Sequence, residues 1–410
     1  MPLPLRSAWL AVALLWPVAL LNYLDRQLLA AMKFSVMADV PDVGTDANWG
    51  YMLGQFKWVY AALSPVGGYL ADRFSRRLTV AASLFAWSAV TWWTGRVESY
   101  ADLLLARTLM GVSEAFYIPA ALALIADYHT GATRSRAVGV HQTAIYCGLM
   151  LGGFGGYAAD APDLGWRTTF AAIGLAGIVY ALPLVLLLKD APGDAIDPPR
   201  RPGPVPALWE LVSNPSFILL VLVFTLPAIA GWVVRDWMPA ILKDRFALGQ
   251  GMAGVSATLF VNAAAFGGAF LGGWAADRAA GRSPRGRVYV SATGIALLAP
   301  ALMGIGTAGS LATAVAFLVL FGLGWGVFDG NNMPILSQIV RPDLRATGYG
   351  VMNLVSISAG GFADWWFGAL RDARVPLDLI FGAFAGTAVV SVVLLLLVRP
   401  RRDGAGDATG

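Results

Sequence analysis

Nine charged side chains stand inside stretches that are otherwise apolar: Asp25, Arg26, Lys57, Arg107, Glu114, Arg235, Asp236, Asp329 and Asp364. An ionised residue at bilayer depth costs about 2.5–3.5 kcal/mol on insertion scales, so most of these must line a wet cavity or pair with one another. Asp25 and Arg26 are neighbours whose side chains point about 100° apart on a helix, so they cannot simply serve each other. Glu114 lies two turns beyond Arg107 on one face of its helix, where the two could also form a structural ion pair. Arg26, Lys57 and Arg107, joined by Arg235 from the second half, outnumber Asp25 and Glu114. Surplus positive charge in a cavity suits an anion, and arginine grips carboxylate or phosphate through two parallel hydrogen bonds.

The acids suggest coupling to protons. A carboxyl in such a cavity is pushed towards its neutral form by desolvation and towards its charged form by nearby cations, so an arriving anion changes its protonation. Glu114 is the leading candidate proton carrier and Asp25 the second. Asp329 repeats the setting of Glu114: each precedes a proline by five residues, Pro119 and Pro334, and Asp329 follows glycines at 322, 324 and 326. It reads as the pseudo-symmetric third candidate, with Asn331 and Asn332 as uncharged contacts nearby. Tyr23 and Tyr117 are candidate hydroxyl donors to a substrate, although single tyrosines more often pack.

These residues need helices to hold them. AVILMFWYC residues make up 57% of the 410-residue chain and charged residues 13%, far from the balance of a soluble domain. Runs of about 20 apolar residues can span a bilayer as helices. Twelve such runs fall near 8–33, 49–71, 78–97, 101–127, 137–158, 167–188, 214–241, 252–276, 288–306, 311–339, 347–370 and 377–398. The expected architecture is an all-α membrane protein of two pseudo-symmetric six-helix bundles. Residues 1–189 form the first half, 190–213 a cytoplasmic linker, 214–398 the second half and 399–410 a cytoplasmic tail. With both termini inside, loops on the cytoplasmic side hold 18 basic residues and the opposite loops seven, as the positive-inside rule requires. An inner (cell) membrane location follows.

The stretch Gly67-Gly68-Tyr69-Leu70-Ala71-Asp72-Arg73, closed by Arg76 and Arg77, recurs as Gly272-Gly273-Trp274-Ala275-Ala276-Asp277-Arg278, closed by Arg282. The copies stand half a chain apart, as in a duplicated transporter. This loop resembles the signature of the major facilitator superfamily. Asn22-Tyr23-Leu24-Asp25-Arg26, together with Arg107 through Gly111 to Glu114-Ala115, resembles two of its groups. One is the anion:cation symporters of hexuronates, galactonate and similar anions; the other is the Spinster-like transporters of lysolipid-like and sphingolipid-like molecules. The resemblance implies coupling and binding roles for Asp25, Arg26, Arg107 and Glu114. It also implies two halves rocking about a central site, with Asp72, Arg73, Arg76, Asp277, Arg278 and Arg282 clasping the closed cytoplasmic side. Small residues at Gly67, Gly68, Gly272 and Gly273 would let the helices approach closely.

Other features read more plainly. Lys57 either snorkels to the outer interface or binds substrate; Arg235 and Asp236 lie near a helix end; Asp364, beside Trp365-Trp366, reads as interfacial. His141 reads as a hydrogen-bonded packing residue. The single Cys147 excludes a disulfide framework and a multi-cysteine metal cluster, and the net charge of +4 gives no footing for nucleic acid. There is no zinc, phosphate-loop or Ser-His-Asp pattern, so neither an enzyme nor a bound metal or cofactor is expected. The expected partners are a small anionic substrate, protons and the lipid bilayer, with the chain a monomer. The favoured reading is proton-coupled symport of a sugar acid or related carboxylate. Its rivals are a Spinster-like carrier of an anionic amphiphile and a transporter-derived sensor.

Overall fold

A computed structural model describes residues 5–129, 133–190, 204–341 and 344–398. Within the first half it has α1 (Leu5–Ala31), α2 (Lys33–Asp39), α3 (Asp46–Arg73), α4 (Arg76–Thr94), α5 (Tyr100–Glu114), α6 (Tyr117–Tyr128), α7 (Arg134–Gly153), α8 (Gly155–Asp160) and α9 (Gly165–Leu187). The rest comprises α10 (Pro204–Val212), α11 (Pro215–Phe246), α12 (Gln250–Ala280), α13 (Gly286–Thr307), α14 (Leu311–Asp329), α15 (Asn332–Ile339), α16 (Arg345–Asp372) and α17 (Leu377–Leu397). Every regular element among the described residues is a helix, and none is a strand. Three expected spans are each made of two pieces: α5 with α6, α7 with α8, and α14 with α15. Counting each as one gives twelve long helical segments among the described residues, and eight meet strict length and hydropathy limits for crossing a membrane.

The broken helices carry two of the candidate acids. Glu114 ends α5 and Asp329 ends α14, each one turn short of the proline that starts the next piece. A proline cannot continue the hydrogen-bond ladder of the preceding turn, so both acids sit at an interruption in their helix.

The chain packs as two compact units. One comprises the described residues of Met1–Asp197, Trp232–Asn262 and Ile357–Val375; the other those of Pro198–Gly231, Ala263–Ser356 and Pro376–Gly410. The first unit therefore combines first-half helices with parts of α11, α12 and α16. Its main core joins Val12 and Leu15 of α1, Leu84 and Trp87 of α4, Tyr117 and Leu124 of α6, Ala144 of α7 and Leu184 of α9. Bulky apolar side chains remain exposed along other faces, among them Leu182, Leu186, Phe270, Trp274 and Val393. Lipid, not water, suits such surfaces.

The two signature glycines explain how the acid-bearing helices are approached. A Cβ on Gly67 would meet the carbonyl oxygen of Ala115 at 2.6 Å, next to Glu114. In the other unit, a Cβ on Gly272 would meet the Val327 Cα at 2.7 Å, two residues before Asp329. Only glycine allows backbones so near. Gly273, expected to act likewise, faces open space.

Candidate functional site

Two adjoining charged centres lie in the first unit. In the first, Arg26 of α1 reaches Glu114 of α5: its Nε donates to Oε2 at 2.7 Å and Nη2 lies 2.5 Å from the same oxygen. Glu114 is fully buried. The Arg26 guanidinium also lies against three rings, 5.0 Å from Tyr23, 4.7 Å from Phe56 and 4.9 Å from Tyr60. Aromatic faces stabilise a cation withdrawn from water. Asp25 turns away, as adjacent helical positions require, and accepts a hydrogen bond from the Thr91 hydroxyl of α4.

Arg107 does not take Glu114 as its partner, contrary to the structural pair considered above. It is buried, and its Nε and Nη2 meet no hydrogen-bond acceptor. Asp25 Oδ1, Glu114 Oε1 and both polar atoms of the Asn22 side chain are likewise buried with no hydrogen-bond partner. Buried polar groups are nearly always satisfied, so such a concentration marks a place built to meet a polar ligand or ordered water.

In the second centre, Lys57 of α3 bonds to both Asp236 of α11 and Asp364 of α16, and its Nζ lies 4.4 Å from the Trp232 ring. Neither snorkelling nor an interfacial Asp364 survives: Lys57 is 3% and Asp364 0% exposed. Their pairing with Lys57 escaped sequence reasoning because Asp236 was expected near a helix end and Asp364 at the interface, whereas α11 and α16 continue past them to Phe246 and Asp372. The available signal was that Lys57, buried without an acid of its own nearby in sequence, needed partners at equal depth. Arg235 joins the centres: its guanidinium lies 5.3 Å from Tyr23 and 5.3 Å from Trp232. Gln27 Nε2 donates to its backbone carbonyl at 3.2 Å. Among the described residues Arg107 and Arg235 have no ion pair, whereas the charges of Arg26 and Lys57 are met by protein carboxylates.

Other expected residues fall elsewhere. Tyr117 is a correction: it is wholly buried in the main core, its hydroxyl donating to the Leu15 carbonyl at 3.2 Å and lying 2.9 Å from His141 Nε2. That contact also gives His141 its packing role. Asp329, in the second unit, accepts from Asn332 Nδ2 at 3.3 Å. Asn331 folds back onto its own helix, donating to the Val327 carbonyl at 2.8 Å, so its amide N–H is engaged locally.

In the signature loops, Arg76 pairs with Asp127 and donates to the Ala123 carbonyl at 3.3 Å. The Asp72 and Arg73 side chains lie outside the described residues. Asp277 pairs with Arg287 at 2.5 Å, not with Arg282, because Arg287 opens the next helix directly opposite; Arg278 and Arg282 are exposed.

A third cluster was missed entirely. Lys33 pairs with Asp46, which Arg371 also holds at 2.7 Å, while Arg371 reaches Asp244 at 2.6 Å. Asp372 caps the start of α3 by accepting from the backbone N–H of Asp46 and Ala47, at 3.0 and 2.8 Å. All these residues belong to stretches expected on the outer side. Asp46 precedes the expected span 49–71; burial works against its ionised form, but Lys33 and then Arg371 outweigh it, holding the carboxyl below its ordinary range.

Comparison with known proteins bears on the family and the fold. The chain is 29% identical over 402 residues to an MFS-type efflux pump of Mycolicibacterium smegmatis, covering 96% of this chain and 90% of that protein. It is 34% identical over 261 residues to human protein spinster homolog 1, covering 60% of this chain. That match spans about half, 48%, of the human protein. Its fold is similar to the crystal structure of a bacterial homolog of the human lysosomal transporter Spinster, in an inward-facing and unoccupied conformation. The TM-score there is 0.79 at 22% identity, over 96% of this chain and 95% of that one. The family model of the Major Facilitator Superfamily matches residues 15–363, and the chain belongs to that superfamily of membrane transporters.

Proposed function

We propose that the protein is a proton-coupled transporter that carries a small organic anion, a sugar acid or related carboxylate, by alternating access. It works in the inner membrane with both termini in the cytoplasm. The observation that carries this reading is Arg107, a buried cation whose Nε and Nη2 meet no protein acceptor, set in one unit with the equally unpaired Arg235. A carboxylate bridging such groups supplies the missing acceptors and the missing charge. Tyr23 stands between Arg26 and Arg235, and Lys57 is joined to Arg235 through Trp232. Lys57 thus supports the anion site from behind its own carboxylates.

Glu114 is the proton carrier in this reading. While Glu114 is ionised it holds Arg26; protonation frees Arg26 for the substrate, and loss of substrate draws the carboxylate back. Asp25 tunes Arg107 from the other side of α1, and Asp329 serves the second half more weakly. In this reading the signature loops that carry Asp72, Arg73, Arg76, Asp277, Arg278 and Arg282 clasp the cytoplasmic side when it is closed.

A second reading, an amphiphile with an anionic head, is favoured by the likeness to spinster proteins and by the rings of Tyr23, Phe56, Tyr60 and Trp232 around the cations. A thermal-shift titration against sugar acids, sugar phosphates, dicarboxylates and lysolipids separates the two. Arg107→Ala should abolish the shift given by the best ligand of that panel. A wild-type shift in Arg107→Ala would refute the proposed role.

A further inference from the structure

The proton-carrying step assigned to Glu114 makes no use of the acids around Lys57. We infer that Lys57, Asp236 and Asp364 form a second proton-binding site, in which one proton is shared between the two carboxyls while Lys57 keeps its charge. Charge counting carries the argument. One ammonium donates to both acids, so the three side chains would hold one net negative charge if all were ionised. Lys57 is 3%, Asp236 9% and Asp364 0% exposed. An uncompensated carboxylate so placed is strongly unfavourable, and one proton removes it.

Two features of the geometry point the same way. Asp236 Oδ2 and Asp364 Oδ2 both contact the one Lys57 ammonium, so the two carboxyls stand side by side, an arrangement that two carboxylates avoid and an acid–carboxylate pair stabilises. Asp364 Oδ1 is buried without a partner, which a neutral acid tolerates far better than an anion. The groups that face the cluster are Lys57 from α3, Arg235 and Asp236 from α11 and Asp364 from α16. Arg235 is held on Tyr23 and Trp232, with no ion pair to either acid among the described residues. At contact distance the count is one cation to two acids, and Arg235 adds its charge only from beyond ion-pair range. Three helices share the site, so the proton exchanges with water when α3, α11 and α16 part.

Infrared spectra of the purified full-length protein in detergent at neutral pH test this directly. In an Asp25→Asn, Glu114→Gln, Asp329→Asn background, which removes the other candidate proton carriers, a carboxylic-acid C=O band should persist, and it should vanish on adding either Asp364→Asn or Asp236→Asn. Asp364→Asn, which mimics the protonated acid, should melt at the wild-type temperature, whereas Lys57→Met should melt lower at neutral pH and recover on acidification. A spectrum with no acid band in that triple background, or a band that survives both added Asn changes, would overturn the inference. So would loss of the fold in both Asn variants, because that would show that both carboxylates are needed ionised.

Discussion

At the scale of single residues, the candidate site depends on which buried groups are met and which are not. Tyr117 has both of its hydroxyl contacts inside the main core, so Tyr117→Phe should lower stability by about 0.5–1.5 kcal/mol and leave ligand affinity unchanged. A melting curve and a thermal-shift titration read the two separately; loss of affinity would return Tyr117 to the substrate site. Much at this scale was legible. Adjacent positions on a helix must diverge, so the separate fates of Asp25 and Arg26 followed from geometry alone. The partners did not. Arg26 meets Glu114 across 88 residues, and Lys57 meets Asp236 and Asp364 across 179 and 307. One chain offers several acids at a suitable depth, and only packing selects among them.

At the scale of elements, the duplicated signature does two jobs. Its arginines and aspartates tie loop to helix, through Arg76–Asp127 in one copy and Asp277–Arg287 in the other. Its first glycine lets α3 and α12 touch the backbone just beside Glu114 and Asp329. Gly67→Ala and Gly272→Ala should each cost about 1–3 kcal/mol through overpacking, whereas Gly273→Ala should be neutral within about 0.5 kcal/mol. Thermal denaturation of the three variants in detergent checks the contrast. Equal effects at Gly272 and Gly273 would contradict the packing described. The repeat and the spans were readable from sequence, because apolar length and Gly-Asp-Arg spacing survive without tertiary context. The interruptions at Glu114 and Asp329 were only hinted at by the prolines that follow.

At the scale of the whole molecule, the unit that holds both charged centres also holds the cluster of Lys33, Asp46, Asp244 and Arg371. It links first-half and second-half residues on the expected outer side, so opening to that side must break it. In a Cys147→Ser background carrying Asn22→Cys, adding Arg371→Ala should raise labelling by a membrane-impermeant thiol reagent from outside several-fold. Unchanged labelling would remove the cluster from the gating account. Asp46 is held below its ordinary range, so its stabilising contribution is full above that range and fades as pH falls through the folded value. Strong acid should therefore raise labelling of the Asn22→Cys protein relative to a fully exposed control cysteine at the same pH, even with Arg371 intact, because acid slows thiolate chemistry equally in both. The cluster was invisible in the sequence because its members are ordinary loop charges, four among many, until the fold gathers them.

The central claim is that Glu114 couples substrate movement to protons through Arg26. Its most direct measurement is uptake by proteoliposomes of whichever anion most stabilises the wild-type protein, with and without an imposed proton gradient. The wild type should concentrate the anion only with the gradient. Glu114→Gln should lose concentrative uptake while still exchanging labelled for unlabelled anion. Undiminished gradient-driven accumulation in Glu114→Gln would contradict the account.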